Sequence, residues 1–488
     1  MNNSLTTLIY AARLPVIGKY MAQLLILLAL ISLAPLTVAL IFGDYTVAVR
    51  YLSVIVLLLA ISIPLTRISV PDHIQSNEAL VIVALAFMLA PLIMTYPLMA
   101  SGLSFGDALF EAISAVTTTG LTTVTNLQNH PATFLFARAW MQWYGGLGIV
   151  VLSIALLMGH HLAARQLAEP LTSESMATTA RTHARRMLVI YLLMTLVGLF
   201  ILWIITGSGF TALLHVLSAV STGGFAPHDA SLAAFDNPYV RYAIILLALC
   251  GAVPLPLYYL AWRKKHIGEF FRDPELRGLL ILVVSVCILL VSFMYSKSGR
   301  ELQDSLTHGI LLGISAQTGT GFSSQSIVDL DDSSKIITII AMLIGGGVGS
   351  TTGGIKVLRL LILLRLIHLM ILRTALPSHA VLTPRLGDKP LENDDIQRAM
   401  LLMLLFALVV LVSWLVFVSF GYPPLNALFE VVSATGTVGL STGITHSDLP
   451  TALKTVLCID MLLGRVEIVA LLIVLYPRTW FGKRTKSK

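Results

Sequence analysis

The residues with most chemical potential in this chain are the oxygens of four short polar segments. They read Phe110-Glu-Ala-Ile-Ser-Ala-Val-Thr-Thr-Thr-Gly120-Leu, Leu214-His-Val-Leu-Ser-Ala-Val-Ser-Thr-Gly-Gly224-Phe, Leu311-Leu-Gly-Ile-Ser-Ala-Gln-Thr-Gly-Thr-Gly321-Phe and Phe429-Glu-Val-Val-Ser-Ala-Thr-Gly-Thr-Val-Gly439-Leu. Ser-Ala recurs at 114, 218, 315 and 433, and five residues after each Ala comes a Gly, then Leu or Phe. Four similar loops around one axis can form a ring of backbone carbonyls that replaces the hydration shell of a cation. Gly supplies the positive φ such a loop needs, and Thr and Ser add further oxygens. No Asp or Glu occurs at 116–121, 220–225, 317–322 or 435–440. Hard divalent ions favour charged oxygen ligands, so the pattern suits a monovalent ion.

Other residues invite chemistry and lose it on inspection. Gly439-Leu-Ser-Thr-Gly443 matches G-x-S-x-G, but a nucleophile elbow needs a strand-turn-helix setting with a positioned His and acid. An intramembrane serine hydrolase is therefore the rival of a different class. Gly349 to Gly354 has Ile355 where a phosphate-binding loop needs Lys. His160-His161 reads as a solvated helix end rather than a metal site. Cys250, Cys287 and Cys458 fall in apolar runs and read as small buried apolar residues. Glu111 and Glu430 occupy equivalent positions, where His215 and Leu312 stand in the other copies, so hydrogen bonding behind the loops is the preferred role over a cation-attracting ring. Gln317 opens the third loop, where the other copies have Val or Thr, and its amide either backs the loop or fills space.

The elements that must position these segments are membrane helices. The 488 residues are 56% hydrophobic and 12% charged, about half the charged share of a soluble domain. Spans of the length a bilayer requires run over 20–42, 49–66, 77–99, 137–160, 185–206, 239–262, 278–296, 335–372 (interrupted), 398–420 and 451–476. The first is too long for a signal peptide and a second span follows at once. Between spans lie four amphipathic stretches, 106–116, 210–220, 304–316 and 424–434, too short to cross a bilayer. Each runs into a Thr/Ser/Gly-rich segment, the pattern of a re-entrant helix and loop. The glycines at 120, 224, 321 and 439 are spaced by 104, 97 and 118 residues. The expected architecture is an all-α integral membrane protein of four helix–re-entrant helix–loop–helix repeats around one pore, at 71–165, 166–270, 271–375 and 376–488, preceded by two extra helices in 1–70.

Charge orients it. With the N-terminus in the cytoplasm, 24 of the 32 Lys and Arg lie in cytoplasmic segments, among them Lys483, Arg484 and Lys486. Seven, Arg50, Arg138, Arg241, Lys297, Arg300, Lys335 and Lys454, lie outside, and Arg465 alone lies inside a span. The bias is the positive-inside rule. It resolves the net charge of +7 into a basic inner face and an acidic outer one, and removes nucleic acid as the reason for it. An intramembrane Arg normally has a partner, and Asp460 and Glu467 are in reach. Gly345 to Gly354 holds six glycines in ten residues, too many for a continued helix, and on its own reads as a kink that permits close packing.

With these features the chain resembles the superfamily of Trk, Ktr and HKT potassium transporters, towards its bacterial Trk-type membrane subunit. The segments Gln142-Trp-Tyr-Gly-Gly-Leu-Gly-Ile-Val-Val-Leu152, Ser221-Thr-Gly-Gly-Phe-Ala-Pro-His-Asp229, Gly345-Gly-Gly-Val-Gly-Ser-Thr-Thr-Gly-Gly-Ile-Lys356 and Met461-Leu-Leu-Gly-Arg-Val-Glu467 carry that resemblance across nearly the whole chain. It implies potassium uptake through a filter of Thr117, Thr118, Thr119 and Gly120; Ser221, Thr222, Gly223 and Gly224; Thr318, Gly319, Thr320 and Gly321; and Gly436, Thr437, Val438 and Gly439. The carbonyls of Thr118, Thr119, Thr222, Gly223, Gly319, Thr320, Thr437 and Val438 would hold the ion. In some relatives the first glycine is Ser, associated with sodium; Gly120 favours potassium. A gate is implied at Gly345, Gly346, Gly347, Gly349, Ser350, Thr351, Thr352, Gly353, Gly354 and Lys356, with Arg465 as an electrostatic barrier. The family further implies a bacterial inner-membrane location, a homodimer with one pore per protomer, no organic cofactor on this chain, and a cytosolic Rossmann-like nucleotide-binding subunit docking on basic loops 163–186 and 263–277. The nearer rival is a secondary carrier coupled to sodium or protons. Inverted repeats would alternate in orientation, whereas these four all start inside.

Overall fold

The computed structural model describes residues 11–71, 74–157, 176–264, 267–298, 301–377, 384–387 and 389–481. His160-His161, the first part of the basic stretch 163–186, Lys265, Lys483, Arg484 and Lys486 lie outside them. The described chain is helical save for a two-residue hairpin, Arg385–Leu386 with Lys389–Pro390. Among the described residues, six helices are long and apolar enough to cross a membrane, and Pro238–Ala252 with Leu255–Trp262 makes a seventh span if the pair counts as one. Asn393–Ser419 shows why a bilayer is required. Leu401, Leu404, Leu408, Leu411 and Leu415 recur at helical spacing and are exposed, a stripe that water would disfavour and lipid accepts. Correcting expectation, Cys250 is exposed and Cys287 and Cys458 are half-buried.

The chain forms two compact units. One comprises Met1–Ile113, His130–Arg138 and Val466–Lys488; the other comprises Ser114–Asn129 and Ala139–Arg465. In the first, Leu14–Ile31 and Tyr45–Thr66 pack together, and Ile17 and Met21 meet Val81 and Ile82 of Ser76–Leu98. Arg13 donates from Nε to Glu78 at 2.7 Å. Thr133 Oγ1 donates to Asp44 at 2.6 Å. Arg138, one of the seven expected on the outer side, is buried in the helix Ala132–Leu157 and paired with buried Glu111 at 2.9 Å. Arg465 is therefore not the only buried cation on a long helix. A buried arginine must have its charge and donors met inside the protein, and for Arg138 the partner is the Glu111 carboxylate.

The four short helices are Phe105–Val116, Gly209–Val220, Leu302–Gln317 and Pro424–Thr435. Their starts are locally encoded. Ser208 accepts from the Thr211 N–H, Ser104 from that of Asp107, and Pro424 opens the fourth helix where its missing N–H is no loss. The partner helices that follow them differ. Ala132–Leu157 is continuous, while Pro238–Ala252 and Leu255–Trp262 meet at 87°. Asp332–Leu343 and Val357–Arg373 are separated by the Gly-rich segment. The expected last span, 451–476, breaks at Glu467, which has φ 59° between Thr451–Val466 and Ile468–Leu475.

Candidate functional site

Each short helix ends in the same turn. The residue three after Ala sends its N–H back to the Ala carbonyl, and the next N–H goes back to the Ser carbonyl. The pairs are Thr118→Ala115 and Thr119→Ser114, Thr222→Ala219 and Gly223→Ser218, Gly319→Ala316 and Thr320→Ser315, and Thr437→Ala434 and Val438→Ser433, all between 2.7 and 3.2 Å. The chain is left-handed at Thr118, Thr222, Gly319 and Thr437 and again two residues on, at Gly120, Gly224, Gly321 and Gly439. A β-branched residue at positive φ is a genuine outlier and stores strain of order 1–3 kcal/mol, so three threonines are strained at one place. Such strain is retained where surrounding structure fixes it. In the first and fourth loops the recurring Ser does part of that work: Ser114 Oγ accepts the Gly120 N–H and Ser433 Oγ the Gly439 N–H, each at 3.1 Å.

The four turns close into a ring. A methyl group built on Gly120 would collide with the carbonyl oxygen of Gly223, one on Gly224 with that of Thr320, one on Gly321 with that of Val438, and one on Gly439 with that of Thr119. Each loop thus leans on the next and the fourth returns to the first. These four oxygens are the second of each carbonyl pair nominated from the sequence. The ring is wholly protein-encased on its outer side: Thr117 to Thr119, Ser221, Thr222, Thr318, Thr320, Thr437 and Val438 are all buried.

The second helices approach the ring through small residues. Gly145, Gly251 and Gly464 lie against the carbonyls of Val116, Val220 and Thr435, which end short helices one, two and four. In the third copy the equivalent residue is Gln317, whose Nε2 donates to Ile344 O at 2.7 Å, at the end of the broken helix. Its amide thereby ties the end of the third short helix to the end of Asp332–Leu343.

Gly345 to Gly354 lies against this ring. Thr351 Oγ1 donates to Gly251 O at 3.0 Å and lies 3.2 Å from Val220 O and from Thr222 Oγ1. A methyl on Gly353 would strike Thr437 Oγ1. The segment also repairs the 87° bend: Gly347 and Thr351 donate their N–H groups to the freed carbonyls of Ala252 and Gly251, and Leu255 donates to Gly349 O at 3.2 Å. Glu275 accepts the Val348 N–H at 2.7 Å, and Lys356 Nζ donates to Thr352 O. Irregular backbone at membrane depth must find such partners inside the protein.

Arg465 is buried and donates from Nη1 to Thr351 O at 2.6 Å and from Nη2 to Gly145 O at 3.1 Å. The expected pairing with Asp460 or Glu467 is replaced by this carbonyl cradle, and Asp460 accepts from Ser413 Oγ at 2.7 Å. Glu430 accepts from Ser441 Oγ at 2.6 Å, the Thr442 N–H at 2.7 Å, Thr442 Oγ1 at 3.1 Å and Thr445 Oγ1 at 2.8 Å. It braces the chain just past Gly439, as expected for a residue behind the loop, and it holds the Ser441 hydroxyl. Glu111 accepts from Arg138 Nε at 2.9 Å. Three contributors were not legible as such: Gln142, Glu275 and the recurring Ser. The Ser-Ala repeat was the available signal for the last of these. Gln142 stood in a quoted segment without an assigned role.

Comparison with known proteins adds a family. The family model TrkH, described as a cation transport protein, matches residues 50–479. An uncharacterized cation transporter of Methanocaldococcus jannaschii is 31% identical over 420 residues, 86% of this chain and 86% of that one. The Trk system potassium uptake protein TrkH of Salmonella typhimurium is 30% identical over 427 residues, 84% of this chain and 87% of that one. The crystal structure of the potassium transporter TrkH from Vibrio parahaemolyticus superposes with a TM-score of 0.84 at 27% identity, covering 96% of this chain and all of that one.

Proposed function

We propose that this chain, which belongs to the TrkH family of cation transport proteins, carries potassium ions across a bacterial inner membrane. The observation that carries the reading is the closed ring in which each of four glycines leans on a carbonyl of the next loop. A potassium ion enters from the acidic outer side, sheds water at the carbonyls of Thr118, Thr119, Thr222, Gly223, Gly319, Thr320, Thr437 and Val438, and leaves towards the cytoplasm. The neutral ligand set suits a monovalent ion, since carbonyl dipoles compensate for lost hydration without a fixed negative charge. Each short helix also turns its negative C-terminal end towards the ring.

Below the ring, Gly345 to Gly354 and Arg465 form the gate. Arg465 is hydrogen-bonded to Thr351, and Thr351 to the ends of short helix two and the bent helix. A positive charge at this point opposes cation passage until the segment moves. The basic cytoplasmic stretches receive a nucleotide-binding regulatory subunit, the chain works as a homodimer with a pore in each protomer, and both termini are cytoplasmic.

Growth of potassium-uptake-deficient cells at limiting potassium tests this. The chain restores growth, and Gly→Ser changes at 120, 224, 321 and 439 shift preference from potassium towards sodium. Failure to restore growth with the protein present in the membrane, or unaltered preference across all four changes, defeats the reading.

A further inference from the structure

The ring is not fourfold in its hydrogen bonding, and one side chain sets the second loop's ring carbonyl apart. Gln142 is buried in the middle of Ala132–Leu157 and reaches the second loop, 81 residues away. Its Nε2 donates to Gly223 O at 2.5 Å, and its Oε1 accepts the Phe225 N–H at 3.2 Å. The second bond fixes which end of the amide faces Gly223, because only the oxygen can receive an N–H. Gly223 is shaped to the clamp: a side chain there would run into the Gln142 amide. The helix that carries Gln142 is itself locked. Trp143 Nε1 donates to Thr195 Oγ1 at 3.0 Å, Tyr191 OH donates to Trp143 O at 2.9 Å, and Gly145 sits on Val116 O. Gln142 therefore cannot withdraw without disturbing its neighbours.

Gly223 O is one of the four oxygens that close the ring. Among the described residues, the equivalent oxygens of Thr119, Thr320 and Val438 accept no hydrogen bond. A carbonyl has two lone pairs, so Gly223 O can meet an ion as well. The amide hydrogen bound to it carries positive charge, though, and opposes a cation at the same oxygen. We propose that Gln142 is a positioning and specificity-determining residue: by donating to Gly223 O it makes one of the four ring carbonyls a weaker ion ligand and fixes its direction. The proposal rests on the reading of the ring as the ion filter. A ring of three free carbonyls and one shared one exerts a lower field. Lower field strength disfavours the smaller, more strongly hydrated cation.

The test is transport by full-length Gln142→Leu and Gln142→Met, two near-isosteric variants without the donor, in potassium-uptake-deficient cells at matched membrane levels. Uptake of sodium relative to potassium is read together with the potassium concentration for half-maximal uptake. The expected result is a sodium-to-potassium ratio raised roughly threefold to tenfold, the range that one hydrogen bond's net worth implies, with the half-maximal potassium concentration lowered. A purely structural Gln142 would reduce the amount of folded protein and leave the ratio alone. An unchanged or lowered ratio in whichever variant reaches the membrane overturns the proposal. The two readings fail separately. If Gly321→Ser alters preference and neither Gln142 variant does, this inference alone falls. If the unaltered chain moves no potassium, the filter reading falls with it.

Discussion

Replacing Gly321 by Ala asks whether the ring is what transports, and Gly102 provides the comparison. Both residues are left-handed, Gly321 at φ 79° and Gly102 at φ 85°. Forcing an L-residue into that region costs about 1–2 kcal/mol at either site. Their surroundings differ completely. A methyl at Gly102 meets nothing within 4 Å. A methyl at Gly321 strikes Val438 O and would lie 2.9 Å from Val438 C and 3.2 Å from Gly439 Cα. All of those are backbone atoms, so no side chain can swing away. Loop four would have to move as a body, and it is held by the Val438 N–H to Ser433 O at 2.8 Å, by Ser433 Oγ behind Gly439 and by the hydrogen bonds of Glu430 just beyond. Overpacking against a fixed wall adds about 1–3 kcal/mol.

Gly321→Ala should therefore cost about 2–5 kcal/mol in all, against about 1–2 for Gly102→Ala. The difference of about 1–3 kcal/mol corresponds to roughly 5-fold to 150-fold in any equilibrium that depends on ring geometry, ion binding among them. The assay is potassium and sodium uptake at matched membrane levels, paired with thermal unfolding of the detergent-solubilised proteins. Gly102→Ala should transport at the original rate with a slightly lower melting temperature. Gly321→Ala should lose potassium uptake or discrimination by the stated factor. Equal uptake and equal potassium preference in the two variants would refute the claim that the glycine–carbonyl ring sets transport.

Further outcomes follow from the same contacts. Deleting 347–352, or changing Arg465→Gln, should raise potassium leak in proteoliposomes if the segment and its guanidinium close the path; unchanged flux counts against the gate. Glu111→Gln should lower stability by about 3–5 kcal/mol, because it leaves Arg138 buried without its carboxylate, while Glu111→Leu with Arg138→Leu should recover much of that loss; thermal unfolding of the single and double variants decides it. Ser441→Ala should leave ion flux largely in place, since it removes one of several donors to Glu430; a loss of some hydrolytic activity with flux intact would instead revive the enzyme reading.

What could be read beforehand was whatever repeats. Ser-Ala followed by Gly five residues on appears four times because four copies of one turn must meet, and each copy needs the same small residue at the same place. The short helices were placed to within two residues for the same reason, since their length and their polar ends are local properties. Arg138 and Arg465 resisted because charge partners are set by tertiary contact. Arg138 pairs with Glu111, 27 residues away, and Arg465 takes backbone carbonyls at 351 and 145 rather than its sequence neighbours Asp460 and Glu467. A backbone carbonyl has no sequence signature, so a cradle made of carbonyls is invisible in composition. The same holds for Gln142, whose two partners lie in another repeat.

The distribution of likeness along each repeat carries its own argument. The turns at 117–120, 221–224, 318–321 and 436–439 share two backbone hydrogen bonds and two left-handed residues. The helices that follow are unbroken, bent by 87°, interrupted by a Gly-rich segment, and broken at Glu467. Each turn must set its glycine against a carbonyl of the next loop, and that shared packing keeps the four turns alike. The two breaks in repeats two and three satisfy each other, with Gly347 and Thr351 bonded to the carbonyls freed at Gly251 and Ala252. Straightening either element would strand the polar groups of the other, so the irregularities form one unit. Arg465 fastens that unit to the fourth repeat at Thr351 O and to the first at Gly145 O. One side chain thus touches the asymmetric part of the structure and the helix that carries Gln142. If Gly345 to Gly354 is the gate, as proposed, a displacement there would be felt through Arg465 at Gly145, three residues from Gln142.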